Sequence, residues 1–389
     1  MWLIDDSVSE TETGSITAAA TFDQGRAALQ DGPMTALPNN GAIAPNRSPS
    51  LSIVIIGRNE GERLDRCLKS VLAIEAFGGA SELIYVDSAS TDGSNLRAAQ
   101  FGAKTLSIGS AHPCAAVARN IGWRAAQAPI VLFLDGDTIL DGKFLTSSIG
   151  EFSDHQVAVV FGNRREIDPS GSIFNRILDL EWMVAPGPVE FCGGDALMRR
   201  DVLERVGGYD ERLIAGEEPE LCRRIRALGY TIKHVNRPMT GHDLAIRRFA
   251  QYWRRALRTG YAYAEVSERF KHTDLPLWRE QARGNRVRGT VLSVLTVSAL
   301  SGAIALRMVW PLLVATAIIA GLAVRTASRS KWRSSNLATR LAFGLHSHFV
   351  QIPILFGQLR YFYYRATGKT AQLIEYKDDA KRLAGSPDT

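Results

Sequence analysis

Two hydrophobic periods alternate through the first third of the ordered-looking chain. Residues 51–56 (LSIVII) are the near-continuous apolar run of a strand buried on both faces, and Leu64, Leu68, Val71 and Leu72 then recur at helical spacing. The same pattern predicts a second strand in ELIYVD, a weaker helix over about 95–101 and a short extended segment near 105–108. A helix over about 115–126 and a strand in PIVLFLDGD complete it. Strand alternating with helix predicts an α/β domain built on a parallel sheet. Residues 1–49 are rich in Ser, Thr, Ala, Gly and Pro without an apolar period, which predicts a flexible tail.

Three of these strands end in polar residues: Arg58-Asn59-Glu60, Asp87-Ser88 and Asp135-Gly136-Asp137. An open parallel sheet binds its ligand outside the C-terminal ends of its strands. Acids and glycine after a strand also make ordinary turns, but three such ends in succession favour a shared site. A D-x-D pair at a strand end can hold a hard divalent cation, Mn²⁺ or Mg²⁺, because carboxylate oxygens suit these ions. Mg²⁺ commonly joins one or two carboxylates to substrate phosphates, and the small Gly136 would let a diphosphate approach the backbone. A nucleoside diphosphate is therefore the expected partner.

Five motifs occur in order: LSIVIIGRNEGERLDRCLKSVL, ELIYVDSASTDGS, ARNIGWRAAQAPIVLFLDGDTIL, CGGDALMRRDVLERVGGYDERLIAGEEPELCRRIRALGY and GHD. Together, over residues 50–245, they resemble the family 2 glycosyltransferases, enzymes of the GT-A (Rossmann-like) fold that use nucleotide sugars. The resemblance implies roles position by position. The turn holding Gly57 and Glu60 would line the nucleotide base, with Arg58 where the family usually has Tyr. Asp87 matches the uridine-binding Asp, and Arg119 a residue near base and diphosphate. Asp135 would approach the ribose, Asp137 would ligate the metal and His242 would complete the metal site. His242 also reads as a surface residue after a strand. The family's base is the Asp of a Glu-Asp pair at a helix start. Here Glu218, in Glu217-Glu218-Pro219-Glu220, takes that place and would deprotonate the acceptor hydroxyl in an inverting transfer. Acids before a helix also suit its dipole without any catalytic role. Asp195 is a further candidate near the acceptor.

The C-terminal third changes the picture. Residues 290–306 and 308–324 are both uncharged, separated only by Arg307, and each is at the short end for a bilayer span. Arg283, Arg286 and Arg288 precede the pair, and Arg325 and Arg329 follow it. By the positive-inside rule both outer ends are cytoplasmic, which predicts a hairpin turning near Arg307 at the cell inner membrane. A buried helical pair, or an in-plane arrangement, is the alternative. The expected organisation is thus a tail (1–49), a GT-A domain (50–270), a basic linker (271–289), a transmembrane hairpin (290–324) and an interfacial helix with a tail (325–389).

Charge sharpens this reading. The 389 residues carry 46 Lys and Arg against 40 Asp and Glu, a net charge of +6. Between Arg247 and Arg288, eleven basic residues face four acids. The stretch RRFAQYWRRALRTGYAYAEV (247–266) mixes basic and aromatic residues, with no accompanying nucleic-acid recognition motif. It predicts an amphipathic helix facing anionic lipid or a lipid-phosphate acceptor. Its Gln251…Arg254-Arg255 resembles the Q-x-x-R-W signature of processive polysaccharide synthases, except that Arg255 replaces the Trp. His346 and His348 lack a carboxylate or Cys partner nearby in the sequence, which argues against a metal there. Cys67, Cys114, Cys192 and Cys222 have neither zinc-site nor disulfide-framework spacing, which fits a reduced cytoplasmic setting. The expected partners are a UDP-linked nucleotide-sugar donor, a lipid-linked or polysaccharide acceptor and membrane lipids, with no nucleic acid.

Overall fold

The computed structural model describes residues 49–109, 114–213 and 215–368. All of the expected N-terminal tail except Pro49, and the final stretch from Lys377, lie outside the described residues. The first half alternates: β1 (Leu51–Gly57), α1 (Glu62–Leu72), β2 (Ser81–Asp87), α2 (Ser94–Gln100), β3 (Lys104–Ser107), α3 (Ala115–Ala125) and β4 (Ile130–Asp135). Then come β5 (Thr138–Leu140), α4 (Phe144–Ser148), β6 (Val157–Glu166), α5 (Ile173–Asp179), β7 (Gly187–Val189), β8 (Ala196–Arg199), α6 (Arg200–Val206), α7 (Glu217–Ala227) and β9 (Thr231–His242). Five helices follow: α8 (Phe249–Phe270), α9 (Arg279–Leu306), α10 (Trp310–Arg329), α11 (Leu337–Phe349) and α12 (Gln351–Thr367).

The sheet order is β3-β2-β1-β4-β8-β6-β9-β5, with β7 added on β9. Strands β1 to β4 are parallel, as the alternation predicts. The sheet as a whole is mixed, because β8 runs antiparallel to β4 and β6, and β5 antiparallel to β9. Short β8 follows a helix, a turn and an excursion through β7, so strand–helix alternation gave no direction for it. The chain leaves β1 on one side towards β2 and β3 and returns on the other side as β4. The C-terminal ends of β1 and β4 therefore flank a topological switch point, where open α/β sheets place their ligands.

Burial explains why these segments fold as they do. The β1 side chains from Leu51 to Ile56 are buried on both faces. Helix α1 buries Leu64, Cys67, Leu68 and Val71, whereas Leu72, one step round the helix, is exposed. Helix α3 lies close against β1 because Gly122 faces Val54, and any Cβ there would strike it. All four cysteines are free.

The C-terminal helices differ from expectation in two ways. The basic stretch 271–289 is a linker only in its first part, since from Arg279 onward it forms the opening turns of the 28-residue α9. The apolar face of α8 is taken by protein. Tyr252, Ala256, Gly260 and Tyr263 are buried, and α8 crosses α12 at contact distance, Gly260 against the Ile354 carbonyl and Gly357 against that of Leu257. Helices α9 and α10 meet at Arg307, which takes the left-handed conformation (φ 52°) that a reversal this short requires. Both are long and apolar enough to cross a membrane, and Val291, Val294, Val297, Leu313, Val314 and Ile318 along them are exposed.

The α8–α12 crossing gives a direct test. Gly260→Leu should destabilise the protein by on the order of 3 kcal/mol through overpacking, lowering the Tm in detergent. Gly284→Ala, where a Cβ would touch only the flexible tip of Arg288, should leave the Tm unchanged or raised. Differential scanning calorimetry of both variants checks this.

Candidate active site

Two loops form one rim at the switch point. After β1, Asn59 adopts a left-handed backbone (φ 56°), its N–H donates to Ser90 Oγ (2.9 Å) and its Oδ1 accepts from Thr91 N (2.8 Å). Gly61 N donates to Asp92 Oδ2 (2.9 Å). Asp87, at the end of β2, is buried and accepts from Ser90 N (2.9 Å) and the Tyr85 hydroxyl (3.2 Å). Burial, and then the Asp87 charge, push the Tyr85 phenol up, so it stays a donor. Gly57 packs its Cα beside the Tyr85 hydroxyl, and Glu60 extends over Gly57 and Gly136 while pairing with Arg63 (3.4 Å).

Gly136 has a structural reason beyond ligand access. Its N–H donates to Ile56 O (2.8 Å), and a Cβ would stand 3.1 Å from that same oxygen and 3.2 Å from Glu60 Cγ. Glycine here lets the D-x-D turn close against β1.

Asp135 is held between two arginines, Arg119 Nη2 at 3.0 Å and Arg164 Nη2 at 3.4 Å. Burial alone would raise its pKa, but the two guanidinium charges outweigh burial and hold it below the usual range. Asp195, a candidate near the acceptor, is buried next to this pair, accepting from Asp135 N (3.0 Å), Arg164 Nη2 (2.6 Å) and Thr240 Oγ1 (2.8 Å). Burial raises its pKa, against the pull of Arg164. Gly194 permits this packing, since a Cβ would lie 2.5 Å from Arg119 Nη2 and 2.9 Å from Asp135 Oδ2.

Arg119 also reaches the start of α7, meeting Glu217 Oε1 and Glu218 Oε1, both at 3.0 Å. One guanidinium, 3% exposed, thus joins Asp135 to the acidic helix start. Burial, then the neighbouring Glu218 charge, push Glu217 up to about 7, with Arg119 opposing them. The two acids sit at the helix N-terminus, whose dipole favours negative charge.

Asp137 and His242, 105 positions apart, meet because β5 pairs with β9 in the register that sets Thr138 opposite His242. His242 Nε2 lies 3.5 Å from Asp137 Oδ1, and donor atoms of Asp135, Asp137 and His242 all fall within 4.8 Å of one another. The two carboxylate oxygens suit Mn²⁺ or Mg²⁺, and the imidazole nitrogen favours a transition metal such as Mn²⁺ over Mg²⁺. Trp182 meets the His242 ring edge-on at 5.0 Å, and Arg164 lies 5.6 Å over the Trp182 ring.

Of the expected residues, Gly57 stands opposite Asp87 in the sheet, with Glu60 beside Gly57 and Gly136. Arg119 joins Asp135 to Glu218, and Asp135, Asp137 and His242 cluster together. Arg164, Gly194, Trp182 and Glu217 were not singled out from the sequence. Glu217 had a signal as the neighbour of Glu218 in the acidic helix start, and Arg164 in FGNRREID, another apolar strand ending in charges.

Residues 52–207 match the family model described as glycosyl transferase family 2. The chain is 24% identical over 227 residues to glycosyltransferase AglE of Haloferax volcanii, covering 56% of this chain and 74% of that protein. It is 30% identical over 139 residues to the pre-mycofactocin glycosyltransferase of Mycobacterium tuberculosis, covering 33% of this chain and 30% of that one. Its fold is similar to that of mannosyltransferase PcManGT from Pyrobaculum calidifontis, solved in complex with GDP-Man and Mn²⁺. The TM-score is 0.51 and the identity 19%, over 80% of this chain and 90% of that one.

The raised Glu217 sets a pH dependence. Its folded pKa of about 7 exceeds its unfolded value, so its stabilising contribution is complete below about 4.5 and is lost as pH rises through 7. Glu217→Gln cannot ionise. Between pH 4.5 and 8 its unfolding free energy should fall less than that of the parent, by up to about 3 kcal/mol. Parallel slopes in denaturant titrations would remove this assignment.

Proposed function

We propose that this chain, which belongs to the family 2 glycosyltransferases through its residues 52–207, transfers a sugar from a UDP-sugar to a lipid-linked or polysaccharide acceptor at a membrane face. The protein is a glycosyltransferase with a mixed α/β sheet of the GT-A type, and its donor is a nucleotide sugar. The observation that carries the finer reading is the convergence of Asp135, Asp137 and His242 at the β1/β4 switch point. Asp137 and His242, with Asp135 beside them, would hold the divalent ion, which when bound neutralises charge on the departing nucleoside diphosphate. The Mn²⁺ of PcManGT supports that choice of metal, and its GDP-Man is the reason to test guanine beside uracil.

The remaining chemistry belongs to the side chains. Asp87 would take the base, in the pocket that Gly57 and Glu60 help shape, and Asp135 the ribose. Glu218 would accept the proton of the acceptor hydroxyl as its oxygen attacks the anomeric carbon. The carbon–oxygen bond to the diphosphate breaks on the opposite face, which inverts configuration. Arg119 holds Glu217 and Glu218 at a fixed separation from Asp135, so base and donor site move as one unit. Glu in place of the usual Asp adds one methylene to the reach of the base.

The exposed apolar faces of α9 and α10 support insertion of the hairpin into a bilayer. Arg283, Arg286, Arg288, Arg325 and Arg329 at its outer ends support a cytoplasmic catalytic domain at the inner membrane. The processive alternative is weakened. Gln251 is engaged by the backbone N–H groups of Arg247 and Arg248 (both 3.0 Å), and Arg255 by Glu181 (3.3 Å).

Calorimetry of the purified chain with UDP and GDP, with and without Mn²⁺, tests the donor site. UDP should bind with Mn²⁺ present, and Asp137→Ala should weaken binding by about 100-fold. Absence of binding to either nucleotide in both conditions would sink the reading. In flotation assays the full chain should rise with anionic vesicles, and deletion of the hairpin residues 290–324 should abolish flotation.

A further inference from the structure

A single 3₁₀ turn, Leu180–Trp182, joins the metal-site side of the domain to the C-terminal helices. Each of its three residues is fixed. The Leu180 carbonyl accepts from Arg333, in the segment between α10 and α11. Glu181, 1% exposed, accepts from His346 Nε2 of α11 at 2.9 Å and from Arg255 Nη1 of α8 at 3.3 Å. Trp182 lies against His242 and beneath Arg164. On the far side of His346, the Tyr252 hydroxyl of α8 bonds Nδ1 at 2.8 Å. The preceding residue, Asp179, anchors the turn to β6 through Arg165 (2.7 Å) and the Glu166 N–H (2.8 Å).

A buried carboxylate is costly unless it is paired and hydrogen-bonded. Burial pushes Glu181 up, yet the His346 hydrogen bond and the Arg255 charge overcome it and bring the carboxyl down to about 2. Glu181 is therefore an anion, and moving α11 or α8 away would strip its partners. The arrangement resists such movement, and the turn that carries Glu181 carries the ring packed on His242.

We infer that Glu181 and His346 are positioning residues: through Trp182 they hold the His242 ring in place and so set the metal affinity of the Asp135–Asp137–His242 group. The inference rests on the metal-site reading above. Groups around a ligating imidazole fix its orientation, and their loss typically lowers metal affinity by about 10- to 100-fold. The sequence argued against a metal at His346 and His348 because no carboxylate or Cys partner stood nearby. The carboxylate partner of His346 lies 165 positions earlier.

The test is Mn²⁺ binding to the full chain in detergent with saturating UDP or GDP, measured by the electron paramagnetic resonance of free Mn²⁺. His346→Gln and Glu181→Gln should each weaken Mn²⁺ by about tenfold. In a Trp182→Ala background neither should weaken it further. Arg365→Ala breaks the exposed α12–α8 pair with Glu268 (2.8 Å) and should leave Mn²⁺ affinity unchanged. Variants with a lower Tm but a Mn²⁺ affinity within twofold of the parent would reduce the network to a structural one and overturn the inference. Should the Glu181 and His346 variants not fold, Tyr252→Phe removes only the hydroxyl on Nδ1. A weakening of twofold or more supports the coupling, and an unchanged affinity overturns it. A parent chain that binds no Mn²⁺ with either nucleotide sinks the metal-site reading itself, and this inference with it.

Discussion

The buried guanidinium of Arg119 is the constraint around which the site is assembled. A desolvated positive charge is tolerated only with close anionic partners, and three carboxyl groups surround Arg119: Asp135 at the end of β4, and Glu217 and Glu218 at the start of α7, of which Glu217 is partly protonated near pH 7. Burial works against its charge, but Glu218 and Asp135 lead the contributions that raise its pKa well above the normal value. Removing one partner of such a cluster leaves charge buried without compensation, which typically costs about 3–5 kcal/mol. Helix α3, strand β4 and helix α7 are consequently locked at one separation. That separation is the distance between the proposed base and the proposed donor site.

The second constraint is the placement of β9. Its last residue, His242, reaches Asp137 only because β5, a three-residue strand, pairs antiparallel with its end. The neighbouring Asp243 then pairs with Arg66 of α1 (3.2 Å), so the GHD segment is tied to the first helix as well as to the sheet. Asp195 and Thr240 join β8 and β9 beneath Asp135 through a hydrogen bond of 2.8 Å. Carboxylates at a switch point are thereby given defined orientations by strands that arrive much later in the chain. The C-terminal helices add a third layer of fixation, because α8 is buried along one face by α12 and, with α11, supplies the partners of Glu181.

The sequence by itself determined β1, α1, β2, α3 and β4 from apolar periods long enough to read locally, and α2 and β3 more weakly, because each is short and buries little. It also determined that β1, β2 and β4 end in polar groups, and hence where a ligand would sit. Asp135 and Asp137 were legible because one strand delivers both. His242 and Glu218 were legible only through resemblance, because nothing local ties a histidine or an acidic pair to a strand more than 80 residues away.

Tertiary structure alone decided the direction of β8, the hydrogen-bond partners of Asp195 and what covers the apolar face of α8. The basic and aromatic residues of 247–266 do form an amphipathic helix, but amphipathicity does not specify what covers the apolar face. Gly260 and Gly357 allow another helix to do so. Only the fold could reveal Glu181–His346 or the two arginines on Asp135. Periodicity records which side of an element faces inward, whereas an ion pair forms between whichever charges the packing desolvates together, at any separation along the chain.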